Sequence, residues 1–116
     1  MKLIELAYFT EHVEQMADFY RSLLGAEPVA KSNDMAIFMS GFTKIFIHRK
    51  YQASEGELPA DNHIAFAVED VHATCEALIQ QGLTLEVSSK DYYWGRSAYL
   101  RDPDGHLIEI TNAESQ

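Results

Sequence analysis

The chain has 116 residues, 47% of them hydrophobic, with one cysteine and a formal net charge of −9. Length implies a single domain, residues 1–116, with a core of its own, and the negative field disfavours nucleic acid and anionic membrane as partners. Cys75 alone forms no intrachain disulfide, no apolar run approaches the ~18 residues of a membrane span, and Glu5 interrupts the N-terminal apolar stretch; a soluble chain without a leader, in the cytoplasm, is the expectation.

In chain order, "LIELAYFTEHVEQMADFYRSLLG" reads as a strand, a helix and a terminating glycine. Val13, Met16, Ala17, Tyr20 and Leu24 recur at helical spacing. His12 stands at the N-cap and Gly25 where a left-handed C′ residue is wanted. Strands are expected over Glu27–Ala30, Met35–Met39 and Lys44–His48, with a Ser40-Gly41 turn. The polar stretch 49–62, with Gly56 and Pro59, reads as a linker.

"NHIAFAVEDVHATCEALIQQG" then repeats the opening. Val71, Cys75, Leu78 and Ile79 share a helix face, with Asp70 as N-cap and Gly82 at the end. Cys75 matches that apolar face and is expected in the core. Strands are expected over Thr84–Val87, Ser97–Arg101 and Leu107–Thr111. Asp102-Pro103-Asp104-Gly105 suits a type I turn before the last of them. Both halves thus read strand, helix, three strands: two βαβββ modules, about 1–50 and 61–113.

Strand alternation sorts the faces. Ile4, Leu6 and Tyr8, and Ile64, Phe66 and Val68, are bulky and suit packing on helices. The opposite faces carry Glu5 and Ala7, and His63, Ala65 and Ala67. Glu109 lies on the equivalent face of the last strand, since Ile108 and Ile110 are its helix-side neighbours. Glu5, His63 and Glu109 therefore interrupt small or apolar faces at repeat-related positions. Two carboxylates brought together without a cation would force one to take up a proton. A divalent ion removes that cost, and an O/N/O donor set suits Zn²⁺, Mn²⁺, Fe²⁺, Co²⁺ or Ni²⁺. Three protein ligands leave positions open for water or substrate.

The segments "ELAYFTEHVEQMADFYRSLLG", "HIAFAVEDV" and "WGRSAYLRDPDGHLIEI" resemble the vicinal oxygen chelate superfamily, which includes glyoxalase I, bleomycin-resistance proteins, fosfomycin-resistance enzymes, extradiol dioxygenases and methylmalonyl-CoA epimerase. The resemblance implies an α+β fold in which two βαβββ modules form a curved mixed sheet around a central cavity, with helices outside, and a homodimer. It also implies metal positions on the first and last strand of each module, here Glu5, Phe46, His63 and Glu109. Phe46 breaks a four-ligand pattern, and Glu5 stands where histidine is usual in the three-ligand members. The histidine-poor set argues against an iron dioxygenase. "GRSAYLRDPDGH" resembles the fosfomycin-resistance thiol transferases, with Ser97 and Tyr99 at substrate-holding positions, although Ala7 departs from their polar residue.

Tyr92, Tyr93, Trp94 and Arg96 read as a loop at the mouth of such a cavity. Tyr93, Trp94 and Arg96, with Phe46, Ser97 and Tyr99, are candidate substrate contacts, the rings by stacking and the hydroxyls by hydrogen bonding. Two function classes follow. One is a glyoxalase-like metal-dependent lyase or isomerase acting on a small substrate with vicinal oxygens, with Glu5 or Glu109 shuttling a proton. The other is a metal-free binding protein of the bleomycin-resistance kind; a fosfomycin-type thiol transferase is a minor third.

Overall fold

The computed structural model describes residues 1–52 and 60–113. The expected linker, with Gly56 and Pro59, lies outside the described residues over 53–59. The elements are β1 (Lys2–Thr10), α1 (Val13–Leu24), β2 (Ala30–Lys31), β3 (Met35–Ser40), β4 (Thr43–Arg49), β5 (His63–Ala67), α2 (Val71–Gln80), β6 (Leu85–Tyr92), β7 (Gly95–Arg101) and β8 (Leu107–Thr111). They form the expected α+β fold: two helices and an unclosed mixed sheet in the order β2-β3-β4-β1-β5-β8-β7-β6. The chain divides into two compact units, residues 5–62 and residues 1–4 with 63–116; the division falls inside β1.

In the unit of residues 5–62, β1 runs parallel to β4, with Glu5 opposite Lys44, Ala7 opposite Phe46 and Phe9 opposite His48. The alternate residues of β4, Ile45 and Ile47, meet Phe38 and Ala36 of β3 and pack under Ala17, Met16, Tyr20 and Leu24 of α1. The helix stripe read from spacing is therefore the buried one. Gly25 takes φ 64° and its N–H reaches the Arg21 carbonyl at 2.9 Å, closing the helix. His12 makes no side-chain cap. The strand expected over Glu27–Ala30 is displaced to Ala30–Lys31. Pro28 has no N–H to give a ladder, so pairing begins only after it, with the Val29 N–H on the Ile37 carbonyl at 2.7 Å.

In the second unit, β5 lies parallel to β8 and β7 antiparallel to it. Phe66, Ala98, Leu100, Ile108 and Ile110 pack against Val71, Cys75 and Leu78 of α2, which confirms Cys75 as a core residue. The Asp70 carboxylate accepts the Ala73 N–H at 2.9 Å and caps α2. At the 102–105 turn the Gly105 N–H meets the Asp102 carbonyl at 2.9 Å. The Asp102 carboxylate accepts the N–H groups of Asp104 and His106 at 3.0 and 2.9 Å. This turn sets the register that places Tyr99 opposite Glu109 and Ser97 opposite Thr111.

β6 extends to Tyr92, far past the expected Val87, and Arg96 lies within β7. The loop expected from Tyr92 to Arg96 is thus only Tyr93 and Trp94, between the paired Tyr92 and Gly95. Gly95 makes this possible: its φ is +137°, and a Cβ there would come within 2.5 Å of the Asn112 Oδ1 that accepts the Arg96 N–H.

Candidate metal and substrate site

Three strands of the second unit converge on Glu109. Ala65 of β5 and Tyr99 of β7 flank it, with His63, Ala67, Ser97 and Thr111 on the same face. The carboxylate is buried, its side chain 7% exposed. Its two oxygens have different neighbours. Oε2 is 2.7 Å from Ser97 Oγ, and Oε1 is 3.4 Å from His63 Nε2.

Ser97 is fully buried and touches three groups: Glu109, Thr111 Oγ1 at 2.8 Å, and the Trp94 indole N–H at 2.9 Å. Proton counting assigns the directions. A carboxylate only accepts, so the single hydroxyl proton of Ser97 belongs to Glu109. Trp94 donates to Ser97, and the Thr111 hydroxyl lies 2.8 Å from Ser97 Oγ with the Arg96 carbonyl as a second acceptor at 3.3 Å. The Trp94 and Ser97 protons therefore both point towards Glu109. Burial alone would raise the Glu109 carboxyl; the near approach of His63 and the hydrogen bond from Ser97, with help from the Tyr99 hydroxyl, outweigh it and hold the group below its ordinary value.

Rings brace the same face. His63 stands edge-on to Tyr99 at 6.1 Å, Tyr99 edge-on to Tyr92 at 6.4 Å, and Tyr92 lies flat on Trp94 at 4.5 Å with 2° between planes.

Glu5, in the unit of residues 5–62, is half-buried and has Lys44 Nζ 3.6 Å from its Oε1. The Phe46 ring next along β4 lies 5.6 Å from that of His48, and Phe9 and Tyr51 stand 5.9 and 6.0 Å from His48.

The donor set fits a divalent ion. At 3.4 Å, His63 Nε2 and Glu109 Oε1 are beyond a good charge-assisted hydrogen bond, which is about 2.7–2.9 Å. Two ligands each about 2.1 Å from a tetrahedral ion are themselves about 3.4 Å apart. Oε1 would then be the ligand oxygen, and Ser97 on Oε2 is the kind of outer hydrogen bond that orients a ligating carboxylate.

The other sequence candidates fall in different places. Ser97 and Tyr99 are buried beside Glu109, and Trp94 reaches it through Ser97. Tyr93 is 97% exposed, its ring edge-on to Trp94. Arg96 grips Asp91 with two hydrogen bonds of 3.0 and 3.3 Å. Sequence reasoning left Thr111 without a role and placed Tyr92 only in the loop at the cavity mouth. Thr111 could have been found by counting outwards from the turn at Asp104, which pairs it with Ser97. Tyr92 is two places before Trp94, the spacing at which strand residues share a face, although the bend between them hides that signal.

The Glyoxalase/Bleomycin resistance protein/Dioxygenase superfamily model matches residues 2–110. The chain belongs to this superfamily. Within it, the chain is 31% identical to the uncharacterized protein YraH of Bacillus subtilis, over 95% of this chain and 97% of that one. It is 26% identical to the metallothiol transferase FosB of Shouchella clausii, over 90% of this chain and 75% of that one. A structure of methylmalonyl-CoA epimerase from Streptomyces coelicolor superposes with a TM-score of 0.63, at 18% identity, over 100% of this chain and 99% of that one; this likeness is one of fold. Among the described residues no helix is long and apolar enough to cross a membrane.

Proposed function

We propose that this glyoxalase-superfamily protein is a divalent-metal-dependent lyase or isomerase acting on a small substrate with vicinal oxygens. Glu5, His63 and Glu109 would hold the ion, one of Zn²⁺, Mn²⁺, Ni²⁺, Co²⁺ or Fe²⁺. The observation that carries the reading is the asymmetry at Glu109: Oε2 is fixed by Ser97 while Oε1 stands at a shared-ligand distance from His63. The ion would supply Lewis acidity towards a substrate carbonyl and the enolate derived from it.

The chain's own groups divide the remaining work. Glu109 is anchored and acts as a fixed charge. Glu5 is more open, 18% against 7% side-chain exposure, with Lys44 Nζ 3.6 Å from its Oε1. In this reading Glu5 would leave the ion to serve as the proton carrier: it would remove a proton from the carbon beside the carbonyl and return it to the neighbouring carbon or the opposite face. Tyr99 and Phe46 would border the substrate. The protein would act as a cytoplasmic homodimer.

A second reading, a metal-free binding protein of the bleomycin-resistance kind, draws on Lys44. Its ammonium already offsets the charge of Glu5, and the rings of Phe9, Phe46, His48 and Tyr51 beside it could stack on a planar ligand. Similarity to FosB supports thiol transfer as a third. Incubation in D₂O with a panel of small α-hydroxycarbonyl compounds, read by mass spectrometry, separates them. The enzyme reading expects metal-dependent deuterium incorporation that Glu5→Gln abolishes. Ligand binding by metal-stripped protein without exchange would favour the binding protein.

A further inference from the structure

We infer that the Tyr92 hydroxyl is a further ligand contact of this site, a hydrogen-bond donor for an anionic oxygen of the substrate held beside Glu109. The inference rests on the functional reading above.

Tyr92 ends β6, next to the two-residue turn. Its ring is immobilised from several sides. Trp94 lies flat against it, Tyr99 stands edge-on, and the Lys90 ammonium sits 5.1 Å from the ring centre. Trp94 is in turn tied to Ser97 by its indole N–H. The phenol oxygen therefore cannot swing out to water. It is buried, yet no hydrogen-bond partner among the described residues meets it.

A buried hydroxyl without a partner costs stability, and a phenylalanine would fill the same stack without that cost. The place of the orphan is informative. Ser97, Thr111 and the Trp94 indole on this face all have hydrogen-bond partners. A phenol is protonated at neutral pH, so the Tyr92 hydroxyl acts as a donor. What it lacks is an acceptor, and Glu109 Oε2 already takes its proton from Ser97. An acceptor brought by the ligand completes the set. A carboxylate or enolate oxygen has the required chemistry.

The test uses Mn²⁺-loaded protein and oxalate, a small dianion with vicinal oxygens, in wild type and Tyr92→Phe. Oxalate affinity should fall about tenfold in Tyr92→Phe, the loss expected for one hydrogen bond to a charged group. Mn²⁺ affinity should stay within about twofold, because Tyr92 is not a ligand. The thermal midpoint of ligand-free Tyr92→Phe should equal or exceed that of wild type, since the variant removes an unsatisfied group. Equal oxalate affinity in the two proteins would overturn the inference, as would a variant that is less stable and weaker for Mn²⁺, which would make Tyr92 structural only. If wild type takes up no Mn²⁺, the metal reading fails, and oxalate titrated into metal-free protein decides Tyr92 separately. A tenfold loss there sustains the contact; no loss, or no oxalate binding to either form of wild type, overturns it.

Discussion

Replacing Ser97 with alanine strikes the one atom on which three buried groups depend. Its hydroxyl donates to Glu109 at 2.7 Å, receives the Trp94 N–H at 2.9 Å and lies 2.8 Å from the Thr111 hydroxyl, with no solvent exposure to soften the loss. A hydrogen bond to a buried carboxylate contributes about 1.5–3 kcal/mol, and each neutral one about 0.5–1.5 kcal/mol. These bonds share an atom and do not add fully, and local rearrangement recovers part of the loss. A destabilisation of roughly 2–4 kcal/mol is therefore expected, equivalent to a fall in thermal midpoint of roughly 8–15 °C for a domain of this size. Urea unfolding followed by far-ultraviolet circular dichroism measures it as a lower midpoint at unchanged m. Divalent-metal affinity should fall about 10- to 100-fold, because Glu109 loses the group that orients it. A loss of stability under about 0.5 kcal/mol, the range of ordinary surface changes, would show that the Ser97 bonds are not made in solution.

Lys44→Met should tighten Mn²⁺ binding about threefold to tenfold in calorimetry, because it removes a cation 3.6 Å from a proposed ligand whose partial exposure screens the effect. Gly95→Ala should cost roughly 2–4 kcal/mol in urea unfolding, from a side chain at φ +137° whose Cβ would press to within 2.5 Å of Asn112 Oδ1. Asp102 is held below its ordinary 3.8 chiefly by the backbone N–H of His106, with the His106 ring and the Asp104 N–H assisting against a smaller opposing effect of desolvation. A lowered native value means its contribution is complete above pH 3.8 and disappears as pH falls further through that value. The stability gap between wild type and Asp102→Asn should therefore narrow on acidification below pH 3.8, measured as urea midpoints across that range.

Much of this arrangement was legible in the sequence because strand alternation is a local signal. Counting by twos along "LIELAYF", "HIAFA" and "LIEIT" put Glu5, His63 and Glu109 opposite the bulky helix-side residues. The DPDG turn then set the register that brings Ser97 and Tyr99 beside Glu109. The helix stripes were equally readable, Cys75 included. What failed was β6. "SSKDYY" has no apolar alternation, because β6 ends the sheet order and much of it is exposed, so pairing with β7 rather than local pattern makes it a strand. Pro28 shortened β2 for a reason visible in sequence, since it has no amide proton to contribute. The Lys44–Glu5 pair depends on a parallel register between segments nearly forty residues apart, and no local signal specifies that. The orphan hydroxyl of Tyr92 emerges only once every neighbouring donor and acceptor is matched.

Titration calorimetry of Mn²⁺, Zn²⁺ and Ni²⁺ into metal-stripped wild type and Glu109→Gln addresses the metal site itself. Glutamine keeps the shape and the acceptor towards Ser97 but removes the negative charge that balances the ion. Wild type should bind a single ion per chain, and Glu109→Gln should bind it at least about tenfold more weakly. Wild-type affinity should also fall as pH drops and protons compete for His63 and the two carboxylates. Equal, weak binding by both proteins would contradict the metal site and leave the ligand-binding protein as the better account.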